Sequence, residues 1–392
     1  MEDTNGDDKA DKREVIIDCW GIRDTHAQAS SLHYGFDNWI YGCVGYSGIE
    51  GYVGGKQHQF AMGTYRFKAD GSAIEFLHQF TNNAWGHSTN DAGDQFGGTA
   101  NGAPIFFGGI PATAYAEGRG FTAKKINEVD TCHTITPNFR QVDVFGGYTA
   151  AAGSNFIYSD ALPKRFQGMA MVCEPTMKVV SLMDVQPDGA GYKALDAFNI
   201  YASSDEWNSP VHAEVGPDGA VWVADFENFI IQHNPTPSKE RGGFVATTGV
   251  GGAHENELRD HSRGRIYRIV GRGLQSRGYE TQWSKLETQR TIIQKHQGAP
   301  DVVDSLRNSF KGGLVSGMGY IHELWTLQGI GQLDAKTHQA ALISKDAKLR
   351  RNAIRALGSD KSAQDLFFGS GVISDPDLNT RLAAFVKLAD FP

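Results

Sequence analysis

Residues 211–225, VHAEVGPDGAVWVAD, spell out a complete β-hairpin. Apolar and polar residues alternate through VHAEV, as they do along a half-buried strand. The tetrapeptide Gly216–Gly219 is typical of a tight turn, and the apolar run Val221–Val223 predicts the returning strand. The stretch therefore indicates antiparallel strands joined by glycine-containing turns.

Three other stretches repeat this order of strand, turn and strand. They are Leu32–Val44 around Gly35–Asn38, Trp85–Gly98 around Asn90–Gly93, and Val142–Tyr158 around Gly153–Asn155. Another strand pair is predicted at Gly63–Lys68 and Ile74–Phe80, with Asp70 and Gly71 in the turn. Repeated multi-stranded units with long connections are typical of a β-propeller. We therefore predict a mainly β protein whose first part is a propeller.

The pattern changes near residue 270, after a strand predicted at Gly264–Ile269. Beyond it glycine becomes rarer, and apolar residues follow helical spacing. One helix is predicted from Leu349 to Leu357, with Asp346 as N-cap and Gly358 as its stop. A second is predicted with Asp375 as cap, Pro376 at the first helical position and apolar residues from Leu378 to Val386; a third covers Ile321–Gly329. We predict two domains, residues 1–270 and 271–392, the second all α.

Composition excludes some classes of partner and site. The net charge of −8 and the pI near 5.9 disfavour binding to nucleic acid. No stretch approaches the ~18 apolar residues of a membrane span, and the acidic start MEDTNGDDKADKRE is unlike a signal peptide. The four cysteines form neither a C-x-x-C pair nor a C-x-x-C-H haem motif, so free thiols and a disulfide both remain open.

The N-terminal segment DTNGDDKADKRE has the spacing of a calcium loop. With Asp3 as the first position, oxygen-bearing side chains occupy positions 1, 3, 5, 9 and 12, and a backbone carbonyl occupies position 7. The predicted ligands are Asp3, Asn5, Asp7, the Lys9 carbonyl, Asp11 and Glu14. Position 6 departs from the pattern, because Asp8 replaces the usual glycine; an acidic, solvated terminus is the alternative.

Several segments resemble a family of membrane-bound dehydrogenase-like propellers of planctomycetes and verrucomicrobia. The resemblance is carried by GIRDTHAQASSLHYGFDNWIYGCVGYSG, FTNNAWGHSTNDAGDQFGGTANGAP, FRQVDVFGGYTAAAG, PVHAEVGPDGAVWVADFENFIIQHNPTP and RDHSRGRIYRI. It covers most of residues 1–270, and the later helices resemble the HEAT-like repeats that follow the propeller in those proteins.

The resemblance implies a fold similar to the six-bladed quinoprotein glucose and sorbosone dehydrogenases. The first blades, which would precede Asp3, are missing, so we interpret the chain as a fragment holding about four of six blades. Many relatives carry a C-terminal c-type cytochrome, but without its motif no haem is expected here. Because the relatives are exported, the resemblance also implies a periplasmic or extracellular location.

The same resemblance points to a catalytic residue and to losses around it. His26 corresponds to the histidine that acts as general base while hydride passes to the quinone, and a turn histidine without catalytic duty is the alternative reading. The supporting aspartate corresponds to Tyr46 and the arginine to Asn82. With both helpers replaced, pyrroloquinoline quinone (PQQ) is a weaker expectation than calcium.

Aligning the repeats predicts a polar ring around the propeller axis. His26, Asn83, Asp143 and His212 occupy similar places before or within the first strand of their units, and the last three are candidate cofactor-binding residues. Such a ring either binds a small polar ligand or only hydrates the axis. Two functions follow: a non-catalytic or weakly active propeller that binds a carbohydrate-type ligand or, through its helical repeats, a protein partner; or a quinone-dependent sugar dehydrogenase.

Overall fold

A computed structural model describes residues 1–115, 120–141, 144–231, 247, 258–260, 262–272, 280–296, 298–312 and 317–392. Four antiparallel sheets are arranged as propeller blades, and a region of seven α-helices follows them within these residues. This confirms the predicted fold class.

Blades 1 and 2 come first in the chain. Blade 1 contains β1 (Ala29–Tyr34), β2 (Ile40–Val44), the separate hairpin of β3 (Ile49–Val53) and β4 (Lys56–Phe60), then β5 (Gly63–Phe67) and β6 (Ile74–Gln79). Blade 2 contains β7 (Ala84–Thr89), β8 (Gln95–Thr99), β9 (Ala103–Gly108) and β10 (Lys124–Lys125). Within each blade, the strands of the sheet pair in the order in which they follow along the chain.

Blades 3 and 4 complete the described propeller. Blade 3 contains β11 (Ser154–Phe156), β12 (Met169–Glu174), β13 (Val179–Asp188) and β14 (Gly191–Ala202). Blade 4 contains β15 (Pro210–Val215), β16 (Val221–Asp225) and β17 (Arg265–Ile269). Hydrophobic clusters fill the spaces between adjacent blades; in one of them Met171 and Leu182 of blade 3 pack with Val221 and Val223 of blade 4.

Most predicted hairpins are confirmed. In the hairpin that opened the sequence analysis, Val215 pairs with Val221, and Gly219 takes a left-handed conformation with φ of 77°. The pairs β1–β2, β7–β8 and β5–β6 also lie where the sequence predicts them. Turn residues and alternation together were therefore sufficient for these four units.

The predicted hairpin at Val142–Tyr158 is wrong. Val142 and Asp143 lie outside the described residues, and Ser154–Phe156 is not a turn but the innermost strand of blade 3, paired with β12. Gly153 serves close packing instead of a turn: a Cβ atom there would lie 2.7 Å from the carbonyl oxygen of Val211 in blade 4. Glycine is therefore required at position 153 because two blades approach closely there, and not because the chain turns.

The helical region contains α1 (Gln282–Lys295), α2 (Pro300–Ser309), α3 (Met318–Gly329), α4 (Ala335–Leu342), α5 (Ala347–Arg355), α6 (Lys361–Ser370) and α7 (Leu378–Leu388). Asp346 caps α5 as predicted, accepting the backbone N–H of Lys348 at 2.9 Å. The helix ends at Arg355, however, which is before the predicted stop at Gly358.

The predicted start of α7 is also wrong. Asp377, and not Asp375, caps this helix by accepting the backbone N–H of Thr380 at 2.7 Å. Asp375 is engaged elsewhere, since its carboxylate receives two hydrogen bonds from the Arg350 guanidinium, at 2.6 and 2.7 Å. Pro376 therefore precedes the helix instead of opening it.

The helices dock on the turns of blades 1 and 2. Phe36, in the β1–β2 turn, is buried in the same cluster as Trp325 and Leu349 of the helical region. The Gln289 amide donates to the Phe36 carbonyl at 2.7 Å and to Oδ1 of Asn38 at 2.6 Å. The two parts of the chain thus share a core.

Cys19, Cys43, Cys132 and Cys173 are all free thiols. Among the described residues, no helix is long and apolar enough to cross a bilayer.

Candidate functional site at the propeller axis

The innermost strands of the four blades meet around a small pocket, here called the axial pocket. It has a volume of about 90 Å³. Its polar lining comes from β1, β7, β11 and β15, and includes His33, His87, Ser88, Ser154, His212 and Glu214. Because each blade contributes at least one of these side chains, the site exists only when the propeller is assembled.

Two histidines form the buried wall of the axial pocket. Nδ1 of His87 lies 2.9 Å from Nε2 of His33, and the two rings stack with centroids 4.5 Å apart. On the far side of His87, Nε2 lies 2.6 Å from Oε1 of Gln95. The other ring nitrogen of His33 faces the Ser31 carbonyl at 3.1 Å. Both rings are therefore fixed at both of their nitrogens.

Burial keeps these two imidazoles uncharged. It lowers the pKa of His33, an effect that the Ser31 carbonyl and the nearby Glu214 carboxylate oppose only in part. Burial also places the pKa of His87 well below its usual value, with a smaller contribution from His33. Near neutral pH the wall thus presents uncharged rings whose nitrogens already face groups of the protein.

The other side of the axial pocket is open to solvent. Nε2 of His212 lies 3.4 Å from Oε2 of Glu214, and both side chains are partly exposed. Trp283, on α1, also lines the pocket and is 38% exposed. The mouth therefore combines a carboxylate, an imidazole and an indole ring.

Helix α1 crosses this end of the propeller. Its capping residue, Thr281, forms a β-bridge with Ser159 of blade 3. Nε2 of the next residue, Gln282, donates to the Thr89 hydroxyl oxygen of blade 2 at 3.4 Å. Further along the helix, the Gln289 amide donates to the Phe36 carbonyl in the β1–β2 turn of blade 1. The helical region thus helps to form the pocket that the blades line.

The structure separates the residues that were predicted to form one ring. His26 precedes β1 and Asn83 precedes β7, so both lie at the end of the inner strands away from His33 and His87. Nδ2 of Asn83 donates to the His26 carbonyl at 2.5 Å. His212 lies in the axial pocket, and Asp143 falls outside the described residues. A cofactor-binding role for the three residues stays a prediction.

The surroundings of His26 contain a carboxylate that the sequence analysis did not assign to the site. Oδ1 of Asp24 accepts the backbone N–H of His26 at 2.8 Å and lies 3.8 Å from its Nδ1. The two residues that replace the family's helpers contact one another, because the Tyr46 hydroxyl donates to Oδ1 of Asn82. His26 therefore has an acidic neighbour, though not the expected one.

His33, His87 and Glu214 are among the pocket residues that sequence reasoning did not select. His33 and His87 both lie in the first strand of a predicted hairpin, and that position was the available signal. The spacing of these residues along the chain did not indicate a shared site, because they come from different blades.

The N-terminal loop is closed by its own side chains. The Asp3 carboxylate accepts backbone N–H groups of Asn5, Gly6 and Asp8 at 3.2, 2.7 and 2.9 Å. Asp8, at the usual glycine position, has a φ of 64°, the left-handed conformation that glycine favours. Within the described ranges, no group of three or more His, Cys, Asp or Glu side chains is arranged to hold a metal ion. Calcium binding stays a prediction.

A family profile described as "Domain of unknown function (DUF7133)" matches residues 1–273. The chain belongs to this family. The matched segment includes every strand of the four blades and ends before α1. No curated protein matches the chain.

Several solved structures are similar to parts of the chain. A protein from Thermus thermophilus, described as an oxidoreductase (glucose dehydrogenase), is 14% identical with a TM-score of 0.34, over 61% of this chain and 64% of that one. The apo form of the soluble aldose sugar dehydrogenase from Escherichia coli is 13% identical with a TM-score of 0.32, over 50% and 60%. The PQQ-bound aldose sugar dehydrogenase from Streptomyces coelicolor is 11% identical with a TM-score of 0.32, over 62% and 61%. The chain spans less than two thirds of the length of these structures.

Proposed function

We propose that this protein is a dehydrogenase-like propeller that binds a small carbohydrate-type ligand at the axial pocket, with little or no turnover. The observation that carries the proposal is the composition of the pocket mouth, where Glu214, His212 and Trp283 meet. A sugar offers hydroxyl groups to the carboxylate and imidazole, and its C–H face can pack on the indole ring.

The size of the axial pocket favours binding over quinone chemistry. Sites that enclose a cofactor usually measure about 300–1,000 Å³, whereas this pocket measures about 90 Å³. That volume receives one edge of a sugar ring, with the remainder of the ring against Trp283. The axial pocket is therefore too small to enclose a tricyclic quinone.

The test compares two tryptophans of equal exposure. Trp283 lines the axial pocket, and Trp222, on β16, is 39% exposed but is not among the residues that line it. Titration of the purified protein with monosaccharides, followed by NMR or calorimetry, should show binding that W283A weakens by about tenfold, or about 1.4 kcal/mol. W222A should leave the affinity unchanged. Equal behaviour of the two variants, or no binding of any sugar, would exclude the proposal.

A quinone-dependent sugar dehydrogenase is the second candidate. It is favoured by one observation: Asp24 lies 3.8 Å from Nδ1 of His26 and can orient the ring or stabilise its protonated form. The resemblance of the sequence to the dehydrogenase-like propellers supports the same role. Protein mixed with PQQ and calcium should then reduce an artificial electron acceptor when an aldose is added, and H26N should abolish the reaction. If the acceptor is not reduced and the quinone spectrum does not change, the dehydrogenase function is excluded and only the sugar-binding function remains.

We also propose that the N-terminal loop binds calcium through Asp3, Asn5, Asp7, the Lys9 carbonyl, Asp11 and Glu14. The alternating acidic positions and the left-handed Asp8 support this. Calorimetry should detect one calcium ion per chain and much weaker magnesium binding, and D3A together with E14Q should remove the calcium signal. Such a loop suits the calcium-rich periplasmic or extracellular space in which the protein is proposed to act. A protein partner for the helical repeats stays a prediction.

A further inference from the structure

The two histidines of the axial pocket lie in a row of contacts that ends in an amide or peptide carbonyl oxygen on each side. At one end, Nδ1 of His33 faces the Ser31 carbonyl oxygen at 3.1 Å. In the middle, Nε2 of His33 faces Nδ1 of His87 at 2.9 Å. At the other end, Nε2 of His87 faces Oε1 of Gln95 at 2.6 Å. The row therefore contains three contacts, each with the length of a hydrogen bond.

The orientation of the Gln95 amide is fixed by its second contact. Its Nε2 donates to the Gly93 carbonyl at 3.1 Å, so the amide oxygen is the atom that faces His87. A backbone carbonyl oxygen and an amide oxygen can only accept hydrogen bonds. Both ends of the row therefore require a ring proton, one on Nδ1 of His33 and one on Nε2 of His87.

Two uncharged rings carry too few protons for three contacts. A neutral imidazole has one N–H group, so the pair has two. If both end contacts are hydrogen bonds, the two nitrogens in the middle are bare, and their lone pairs face each other at 2.9 Å. If the middle contact has a proton, one of the ends lacks one. A third proton would turn the repulsive contact into a charge-assisted hydrogen bond, which is stronger than a neutral one.

The surroundings decide how many protons the pair can hold. Burial lowers the pKa of both rings, and the Glu214 carboxylate opposes this effect at His33. The Tyr41 ring lies flat against His87, with centroids 5.2 Å apart and planes 8° apart, and an aromatic face favours a neighbouring cation. A fourth proton would place two positive charges on adjacent rings. The pair is therefore built to hold one extra proton and no more.

The other titratable and charged groups around the pair come from several elements. His78 on β6 and His212 on β15 each disfavour a positive charge on the pair. Behind Tyr41, Arg66 lies 3.4 Å from the tyrosine hydroxyl and is paired with Asp37. Within the described lining of the pocket, β11 and α1 contribute uncharged side chains, and burial raises the pKa of the two tyrosines there, Tyr34 and Tyr158. Glu214 is the acidic residue of that lining.

We propose that the His33–His87 pair is a proton-binding site, which takes up one shared proton as the pH falls below neutral and thereby regulates the axial pocket. In the protonated pair all three contacts are hydrogen bonds, and Glu214 is the counter-ion. The carboxylate is then less available to a sugar hydroxyl. The proton site is independent of the function proposed for the pocket, whereas its effect on sugar affinity rests on that function.

NMR of the intact chain, labelled with ¹⁵N in histidine, tests the proton count directly. Between about pH 8 and about pH 4, His33 and His87 should titrate together with one midpoint. Each ring should show about half of the nitrogen shift of a full imidazolium, because the proton is shared. Two separate midpoints would overturn the proposal, and so would the absence of any change in either ring at every pH at which the protein is folded.

Gln95 offers two variants with opposite expected effects. Gln95→Leu removes one end of the row, so two protons suffice for the remaining contacts, and the midpoint should fall by about one pH unit or more. Gln95→Glu places a carboxylate against His87 and should raise the midpoint by about as much. Gln59 is exposed on β4, and the same two changes there should leave the midpoint unchanged. A midpoint that stays constant, or moves in one direction, in both Gln95 variants would contradict the proton count.

Sugar titrations above and below the midpoint separate this proposal from the function that it would regulate. The affinity for the best-binding monosaccharide should be about threefold lower, or less, below the midpoint. Gln95→Leu should keep the higher affinity at that pH, whereas Gln59→Leu should lose it as the unchanged protein does. Equal affinity at both pH values would overturn the regulation. If no sugar binds at any pH while the rings still titrate together, the function proposed for the pocket is wrong and the proton site is confirmed.

Discussion

The Asp94 carboxylate, in the turn between β7 and β8, accepts a hydrogen bond from the Arg351 guanidinium on α5. Both side chains are almost fully buried, at 3% and 5% exposure. Arg355 and the Tyr192 hydroxyl contact the same carboxylate. A single acidic group thus joins blade 2, blade 3 and the helical region.

Replacing Asp94 by asparagine should destabilise the protein strongly. The change leaves Arg351 buried without its main counter-ion, which typically costs about 3–5 kcal/mol. Urea unfolding of D94N measures the loss. The matched control is D365N, because Asp365 pairs with Lys361 on the surface, where such a pair contributes about 0.2–1 kcal/mol. Similar losses in both variants would contradict the role assigned to Asp94.

Gly153→Ala should weaken the contact between blades 3 and 4. The added Cβ would lie 2.7 Å from both the Val211 carbonyl oxygen and Nδ1 of His212, so backbone must move. We expect a loss of about 1–3 kcal/mol in the free energy of unfolding. Gly120→Ala is the control, since no atom of the described part of the chain lies within 4 Å of a Cβ there. An unchanged stability for G153A would show that the blades adjust without cost.

Asn83→Ala separates a structural role from a cofactor-binding role. Asn83 donates to the His26 carbonyl at 2.5 Å and accepts the Tyr46 backbone N–H at 3.3 Å. Loss of these bonds should cost about 1–3 kcal/mol in thermal or urea unfolding. Sugar affinity should not change, because the axial pocket lies at the other end of the inner strands. A variant that keeps its stability but loses ligand affinity would instead assign Asn83 to a binding site.

His322 should make the stability of the protein depend on pH. Burial lowers its pKa to about 3, with Lys285 adding to the effect, while the unfolded chain titrates near 6.5. Between these values the unfolded state binds the extra proton, so this stabilisation is complete above about pH 6.5 and is lost as the pH falls. For H322Q, the slope of unfolding free energy against pH should decrease by about 1.4 kcal/mol per unit between pH 4 and 6. Superimposable slopes would contradict the burial of His322 in neutral form.

Prediction from the sequence succeeded where local signals act alone. The turns at Gly35–Asn38, Asn90–Gly93 and Gly216–Gly219 determine their hairpins, because turn residues and strand alternation are properties of neighbouring residues. It failed at Gly153, where glycine is required by the approach of another blade. It also chose the wrong cap for α7, because Asp375 binds an arginine on a different helix.

The sequence by itself determined that glycine-turned strands come first and capped helices second, since strand alternation, turns and caps depend on residues close together in the chain. Only the tertiary structure brought His33, His87, His212 and Glu214 to one pocket, and set the rings of His33 and His87 at hydrogen-bond distance. Contacts of this kind join residues far apart in the chain, and their geometry is decided by how blades and helices pack. The spacing of these residues in the sequence therefore gives no indication of their contacts.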